Sequence, residues 1–279
     1  MTPSRQARGV RVNRGRNLRL DIAYDGTDFC GWQRQGTRPT VQACIEEALE
    51  KILGHGVRLT ASGRTDAGVH AARQVANFST ANRIPCANLL RALNRNLPPA
   101  IRILAAVEAP ADFHARYGAI SKTYRYRILQ SPVCSPFIAR FVHHEPRPLD
   151  RRLMATAARL LVGEHDFSSF AGSRGSAEQS GRDGRRTTDS AAVRRVFESR
   201  ILWRPKTSML VYEICGSGFL YHMVRNIAGT LIEVGFGRTL PEAITEVLES
   251  RDRARAGPTA PARGLCLVRV EHKADDAGS

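Results

Sequence analysis

The feature that most restricts the fold of this chain is the order in which its hydrophobic periods change. Over 17–24 apolar residues alternate through Leu18, Leu20 and Ile22, the period of a half-buried strand. Val41, Cys44, Ile45, Ala48, Leu49, Ile52 and Leu53 then recur at the helical period, with Thr40 placed to cap the start and Gly54 to stop the helix. Strands are expected at 57–60 and 75–78, a second amphipathic helix over 87–97 ended by Pro98 and Pro99, and another strand over 101–107.

The order strand, helix, strand, strand, helix, strand is that of a ferredoxin-like unit, a layered α+β sandwich common among RNA-binding modules. The second half repeats the theme. Residues 120–129 alternate, with Lys122, Tyr124, Tyr126 and Ile128 on one face and Thr123, Arg125, Arg127 and Leu129 on the other. Leu153, Met154, Ala157, Leu160 and Leu161 give a helix that ends near Gly163, and strands follow at 192–203 and 208–215. A helix over 220–234 buries Met223, Val224, Ile227, Ala228, Leu231 and Ile232, leaving Arg225 beside a polar face that holds His222, Asn226 and Gly229. Thr239-Leu240-Pro241-Glu242 has capping-box spacing and starts a last helix, and a strand over 265–270 closes the fold. The expected class is α+β: two ferredoxin-like, RRM-like halves with mostly antiparallel sheets, joined around a central cleft, with helices on the outer faces. The domains are read as 17–112 and 113–279. Residues 1–16 form a flexible basic arm, and the Gly-, Ser- and Arg-rich stretch 172–190 is a mobile basic insertion.

With 279 residues, 42% of them hydrophobic, the chain has ample material for a packed core. Its 42 basic residues against 26 acidic ones give a net charge of +16, which calls for a polyanionic partner. Only four of the basic residues are lysines, a skew that coding bias alone can produce, so the positive field carries more weight than the arginine count. No run approaches the ~18 apolar residues of a membrane span, and the arginine-rich start has no apolar stretch behind it, so a cytoplasmic protein without membrane contact is expected. Six cysteines (Cys30, Cys44, Cys86, Cys134, Cys215 and Cys266) stand far apart with no CxxC pair; they read as reduced and mostly buried rather than as zinc ligands or a disulfide framework. His143-His144-Glu145 is the one dense set of metal-ligand types, and without helical spacing it reads as a strand end at the surface.

The stretch Ala61-Ser62-Gly63-Arg64-Thr65-Asp66-Ala67-Gly68-Val69-His70-Ala71 has no apolar period and sets one carboxylate, Asp66, between two glycines and two residues after an arginine. It reads as a polar hairpin turn, or as a site in which the glycines admit a bulky partner, Arg64 holds an anion and Asp66 does chemistry. On these residues alone both readings stand.

Other blocks bear on the choice: Tyr24-Asp25-Gly26 with Gly31-Trp32-Gln33; Asp112-Phe113-His114-Ala115-Arg116; Lys122-Thr123-Tyr124-Arg125-Tyr126; Gly163 with Asp166-Phe167 and Phe170; and Phe219-Leu220-Tyr221-His222-Met223-Val224-Arg225-Asn226. Together with the Asp66 stretch, in this order, they make the chain resemble the TruA-type tRNA pseudouridine synthases from about residue 18 to 271. The resemblance implies isomerisation of uridine to pseudouridine in the anticodon stem-loop of tRNA by a homodimer, with no metal or cofactor. It places the nucleophile on Asp66, the base-flipping arginine on Arg64, a stacking tyrosine and possible base on Tyr124, and the arginine that pairs with the aspartate on Arg225. Lys122, Arg125, Arg116 and His222 stand in the same blocks as candidate substrate or RNA contacts.

The residue types suit that chemistry. A carboxylate can capture the intermediate at C6 of the ring or C1′ of the sugar while the base turns, and nearby arginines favour its charged form. A tyrosine is a poor base, with an ordinary pKa of about 10, unless cations lie close. Trp32 and Phe29 are read as core, Asp25 as a turn residue, and His70 and His222 as supports. Two rivals remain: a non-catalytic tRNA-binding module, and a hydrolase pairing Asp66 with Asp25 or Asp112.

Overall fold

The fold is taken from a computed structural model that describes residues 15–172 and 192–273. The basic arm up to residue 14 and the basic insertion from residue 173 onward lie outside the described residues. The N-terminal half runs β1 (Arg16–Tyr24), α1 (Val41–Leu53), β2 (Thr60–Ala61), β3 (His70–Thr80), α2 (Cys86–Asn96) and β4 (Ile101–Ala109). Leu18, Leu20 and Ile22 are wholly buried, and Val41, Ile45 and Leu49 of α1 and Leu89 and Leu93 of α2 complete that core. Thr40 accepts a hydrogen bond from the Ala43 amide, and Gly54 takes the left-handed conformation that stops α1. The opposite side of β1 is ionic: Arg19 and Arg73 both donate to the buried carboxylate of Asp21.

The C-terminal half runs β5 (Ala119–Leu129), β6 (His143–His144), α3 (Arg151–Arg159), β7 (Gly163–Asp166), β8 (Val193–Arg204), β9 (Met209–Gly216), α4 (Met223–Gly235), α5 (Ala243–Ser250) and β10 (Leu265–His272). One sheet joins both halves in the order β4-β1-β3-β10-β5-β9-β8-β7, with β2 beside β3 and β6 beside β5. The triplets β4-β1-β3 and β10-β5-β9 repeat one arrangement, and they meet where β10 runs parallel to β3 and antiparallel to β5. The expected α+β class with mostly antiparallel pairing is what the chain forms. The last strand does not close an edge: it sits at the centre of the sheet.

Other expectations change in detail. The strand expected over 57–60 shrinks to Thr60–Ala61 because α1 claims the backbone before it: the Leu59 amide donates to Glu46 and its carbonyl accepts from Gln42. β3 begins at His70, well before residue 75. Helix α4 starts at Met223, since His222 stands at its N-cap with φ of 59°, outside the helical range. The polar face expected on α4 is covered: Asn226 is fully buried, and a methyl group at Gly229 would lie 1.7 Å from the Pro258 carbonyl oxygen. The capping box at Thr239 does not form, because the carbonyls of Leu240 and Pro241 serve the first amides of α5 and its N-cap, Glu242, makes no side-chain bond. Among the cysteines only Cys266 is buried; the other five are partly exposed, and all six are free thiols.

Candidate active site

β2 and β10 share one edge of β3: Thr60 and Ala61 pair with Asn77 and Ala76, while Cys266 and Leu267 pair with His70 and Ala71. The loop 62–69 leaves the sheet in the gap between them, and its backbone is held from several sides. The Ser62 amide donates to the Val75 carbonyl at 2.8 Å, and Gln74 Nε2 donates to the Gly63 carbonyl at 2.8 Å. The Trp32 amide donates to the Thr65 carbonyl at 3.0 Å, and the Tyr24 hydroxyl lies 2.8 Å from Thr65 Oγ1. Burial pushes the Tyr24 hydroxyl far above its ordinary pKa, so it stays protonated. Gly26 packs so closely that a side chain there would begin 2.0 Å from the Val69 carbonyl oxygen, and Gly68 has a positive φ of 76°.

The supports expected from the sequence fall into place around this loop. Trp32 and Phe29 are buried in the core. Asp25 makes a turn, accepting from the amide and hydroxyl of Thr27. His70 accepts from the Gly26 amide at Nδ1, so its Nε2 is the donor to the Arg140 carbonyl, and burial keeps the ring below the ordinary imidazole pKa. His143 and His144 form β6, with His144 against the Ser131 carbonyl and Glu145 bound to Arg147.

Asp66 emerges from the loop with 18% of its side chain exposed and meets two residues of the other half. Arg225 Nη1 donates to Asp66 Oδ2 at 3.4 Å, while Arg225 Nε donates to the Ala260 carbonyl at 2.9 Å, so the guanidinium is fixed before it reaches the carboxylate. His222 Nε2 lies 3.6 Å from the same oxygen, turned there by its left-handed backbone and stacked on Tyr221 at 3.8 Å between ring centroids. Tyr124 is buried beside them, edge-on to Phe219 at 5.2 Å. Burial first, and the nearby Tyr24 and Asp66 second, push its hydroxyl far above the ordinary tyrosine pKa, which leaves it a protonated ring rather than a base in the free protein.

The remaining candidates divide. Lys122 lies against Gly63 of the loop. Arg64 is exposed on the loop itself, and Arg116 is exposed on the connection before β5. Arg125 faces the other side of β5, where it binds Glu213 together with Arg200, and it does not join the Asp66 cluster. Sequence reasoning missed the clamp on Arg225 from Ala260, the Thr65 and Gln74 contacts that shape the loop, and Phe219 against Tyr124. The one signal for the first was a glycine inside a helix, Gly229, which admits the 257–260 backbone.

The strongly basic α+β protein thus fixes one carboxylate between a guanidinium and an imidazole, beside a buried tyrosine, and its charge suits an anionic polymer. A family model described as tRNA pseudouridine synthase matches residues 22–118 and 157–273. The chain is 50% identical over 257 residues to tRNA pseudouridine synthase A of Solibacter usitatus, covering 92% of this chain and 100% of that protein. It is 46% identical to tRNA pseudouridine synthase A of Syntrophotalea carbinolica, over 93% of this chain and 97% of that one. Against tRNA pseudouridine synthase A 2 of Clostridium tetani it is 44% identical, over 90% and 97%. The chain belongs to the tRNA pseudouridine synthase family, as its sequence blocks imply, and is an isomerase acting on uridine in tRNA. Among the described residues no helix is long and apolar enough to cross a membrane.

Proposed function

We propose that the chain isomerises uridines of the anticodon stem-loop, with Asp66 as the nucleophile. One observation carries this reading: the only side chains in ion-pair contact with the Asp66 carboxylate, among the described residues, are Arg225 and His222, both from the far half of the sequence. The N-terminal domain, 17–112, then supplies the nucleophile loop, the C-terminal domain, 113–279, supplies its partners Arg225 and His222, and the substrate base enters between them.

The reaction breaks the bond from N1 of uracil to C1′, turns the base, forms the bond from C5 to C1′ and releases the C5 proton. No outside atom is needed. Asp66 captures C1′ or C6 while the base turns, and Arg225, donating to the carboxylate, aims it. The target must first leave the stack, at a cost of a few kcal/mol. Arg64, exposed on the loop, fills the vacated place, and Tyr124 stacks on the extruded ring. In this reading the active form is a cytoplasmic homodimer, and sedimentation is expected to give twice the 30.8 kDa chain mass, a monomer mass removing that part.

Release of tritium from tRNA labelled at C5 of uridine tests the reading. The protein is expected to release it, and its Asp66→Asn form to bind tRNA without release. A parent protein that releases no tritium from any tRNA removes the enzymatic claim, and free uracil among the products replaces it with a hydrolase.

A further inference from the structure

The guanidinium that meets Asp66 is steered by a stretch of backbone, 259–261, that lies against α4. The Ala260 carbonyl accepts from Arg225 Nε at 2.9 Å, so the direction of that carbonyl sets where Nη1 points. Both neighbours of Ala260 are themselves held. On one side Thr259 Oγ1 donates to Asn226 Oδ1 at 2.6 Å, and the fully buried Asn226 is tied in turn to the Phe170 carbonyl at 2.7 Å. On the other side the Tyr126 hydroxyl donates to the Pro261 carbonyl at 3.0 Å.

Tyr126 stands in the middle of the sheet, paired with Leu265 of β10 and Tyr212 of β9, and is wholly buried. Its ring lies so close to Gly264 that a side chain there would begin 2.7 Å from Cζ. Burial pushes its hydroxyl above the ordinary tyrosine pKa, so it keeps the proton it donates. The residue that accepts is a proline with φ of −53°. The pyrrolidine ring locks that torsion, so one soft rotation links the carbonyls of Ala260 and Pro261, and holding the second orients the first. A buried hydroxyl takes an acceptor in any fold. Here the acceptor is next in sequence to the group that holds Arg225, which gives the bond a consequence beyond packing.

We propose that Tyr126 is a positioning residue for the isomerisation, acting on Asp66 through the Pro261 carbonyl, the Ala260 carbonyl and the Arg225 guanidinium. The inference rests on the reading of Asp66 and Arg225 above and deepens it. Arg225 Nη1 stands 3.4 Å from Asp66 Oδ2, at the long end of a hydrogen bond, so a small turn of the Ala260 carbonyl is enough to lose it.

Tyr126→Phe removes the hydroxyl and keeps the ring. Measured on the full chain with tRNA tritiated at C5 of uridine, it is expected to lower kcat per folded molecule about tenfold, with KM little changed. Pairing it with Arg225→Lys separates positioning from packing. A lysine cannot keep both bonds of Arg225, so the Ala260 carbonyl no longer aims a donor at Asp66, and adding Tyr126→Phe is then expected to change kcat by less than about twofold. A hydroxyl that serves packing alone would lower kcat by one factor in both backgrounds. If Tyr126→Phe does not fold, Thr259→Val, at an exposed position, makes the same test from the other side of Ala260. An unchanged kcat in the single variant, a loss confined to KM, or losses that multiply in full would overturn the inference. Failure of the underlying reading shows separately, as an Arg225→Lys protein with undiminished kcat.

Discussion

The guanidinium of Arg225 lies 3.4 Å from the carboxylate of Asp66 although 159 positions separate them in sequence. The contact is held from the far side as well, because the same guanidinium donates to the Ala260 carbonyl and the Ala260 amide donates back to the Arg225 carbonyl. A lysine has one nitrogen and cannot keep both bonds in this geometry. Arg225→Lys is expected to lower kcat for tritium release by about 10²-fold with KM for tRNA little changed. Single-turnover kinetics at saturating enzyme check this, and a change confined to KM would assign Arg225 to RNA binding instead.

The loop depends on Tyr24 as well. Tyr24→Phe removes the partner of Thr65 Oγ1 inside the core. A loss of about 1–2 kcal/mol in stability is expected, and kcat should fall further than stability explains, because Asp66 follows Thr65 directly. Urea denaturation and tritium release on the same sample separate the two effects.

Gly26 is a steric requirement. A methyl group there would sit 2.0 Å from the Val69 carbonyl, against backbone that cannot swing aside. Gly26→Ala is expected to cost about 3 kcal/mol or more. Gly56→Ala is the control: its nearest neighbour is a flexible carboxylate oxygen at 4.0 Å, and a change within about 0.5 kcal/mol is expected. Equal costs at the two positions would show that the close approach of 26 to 69 is not a feature of the folded protein.

Acid should destabilise the fold in two stages. Burial keeps His70 and His143 below the imidazole value in the folded state. As pH falls through about 6.5 the unfolded chain therefore takes up protons that the folded chain refuses, and stability drops. Lower, Glu145 is held below the usual carboxylate range by the hydrogen bonds from Arg147, and Glu213 by Arg125 and Arg200 in spite of its burial. Their contribution is present above about pH 4.5 and is lost as pH falls through their folded values. Melting temperatures at pH 7.5, 6 and 4.5 should decline in that order, and a flat profile between pH 7.5 and 6 would contradict the histidine assignment.

The ionic face behind the site should matter for stability and little for chemistry. Glu213 is 3% exposed and faces two half-exposed guanidiniums on the side of β5 and β9 away from Tyr124. Glu213→Gln is expected to cost about 1–2 kcal/mol after solvent screening of the arginines. Tritium release per folded molecule should stay within about twofold; a larger fall would mean that this face reaches the substrate.

The alternation of 120–129 already put Arg125 opposite Tyr124, and the spacing from Thr40 to Gly54 marked α1 to the residue. The blocks around Asp66 and Arg225 likewise pointed to the family. These features are local: a period of two or 3.6, a cap or a run of residue types is complete within a dozen positions. Where β10 would sit, why β2 is only two residues long, how His222 turns out of α4 and why Asn226 and Gly229 lie under the 253–260 segment had no local signal. Each depends on which distant backbone takes a hydrogen bond or fills a gap, and that balance is struck only when the halves pack. The sequence by itself thus determined most of the elements and marked the candidate groups, while the tertiary structure decided their meeting, because the edge of β3 is completed by one strand from each half of the chain.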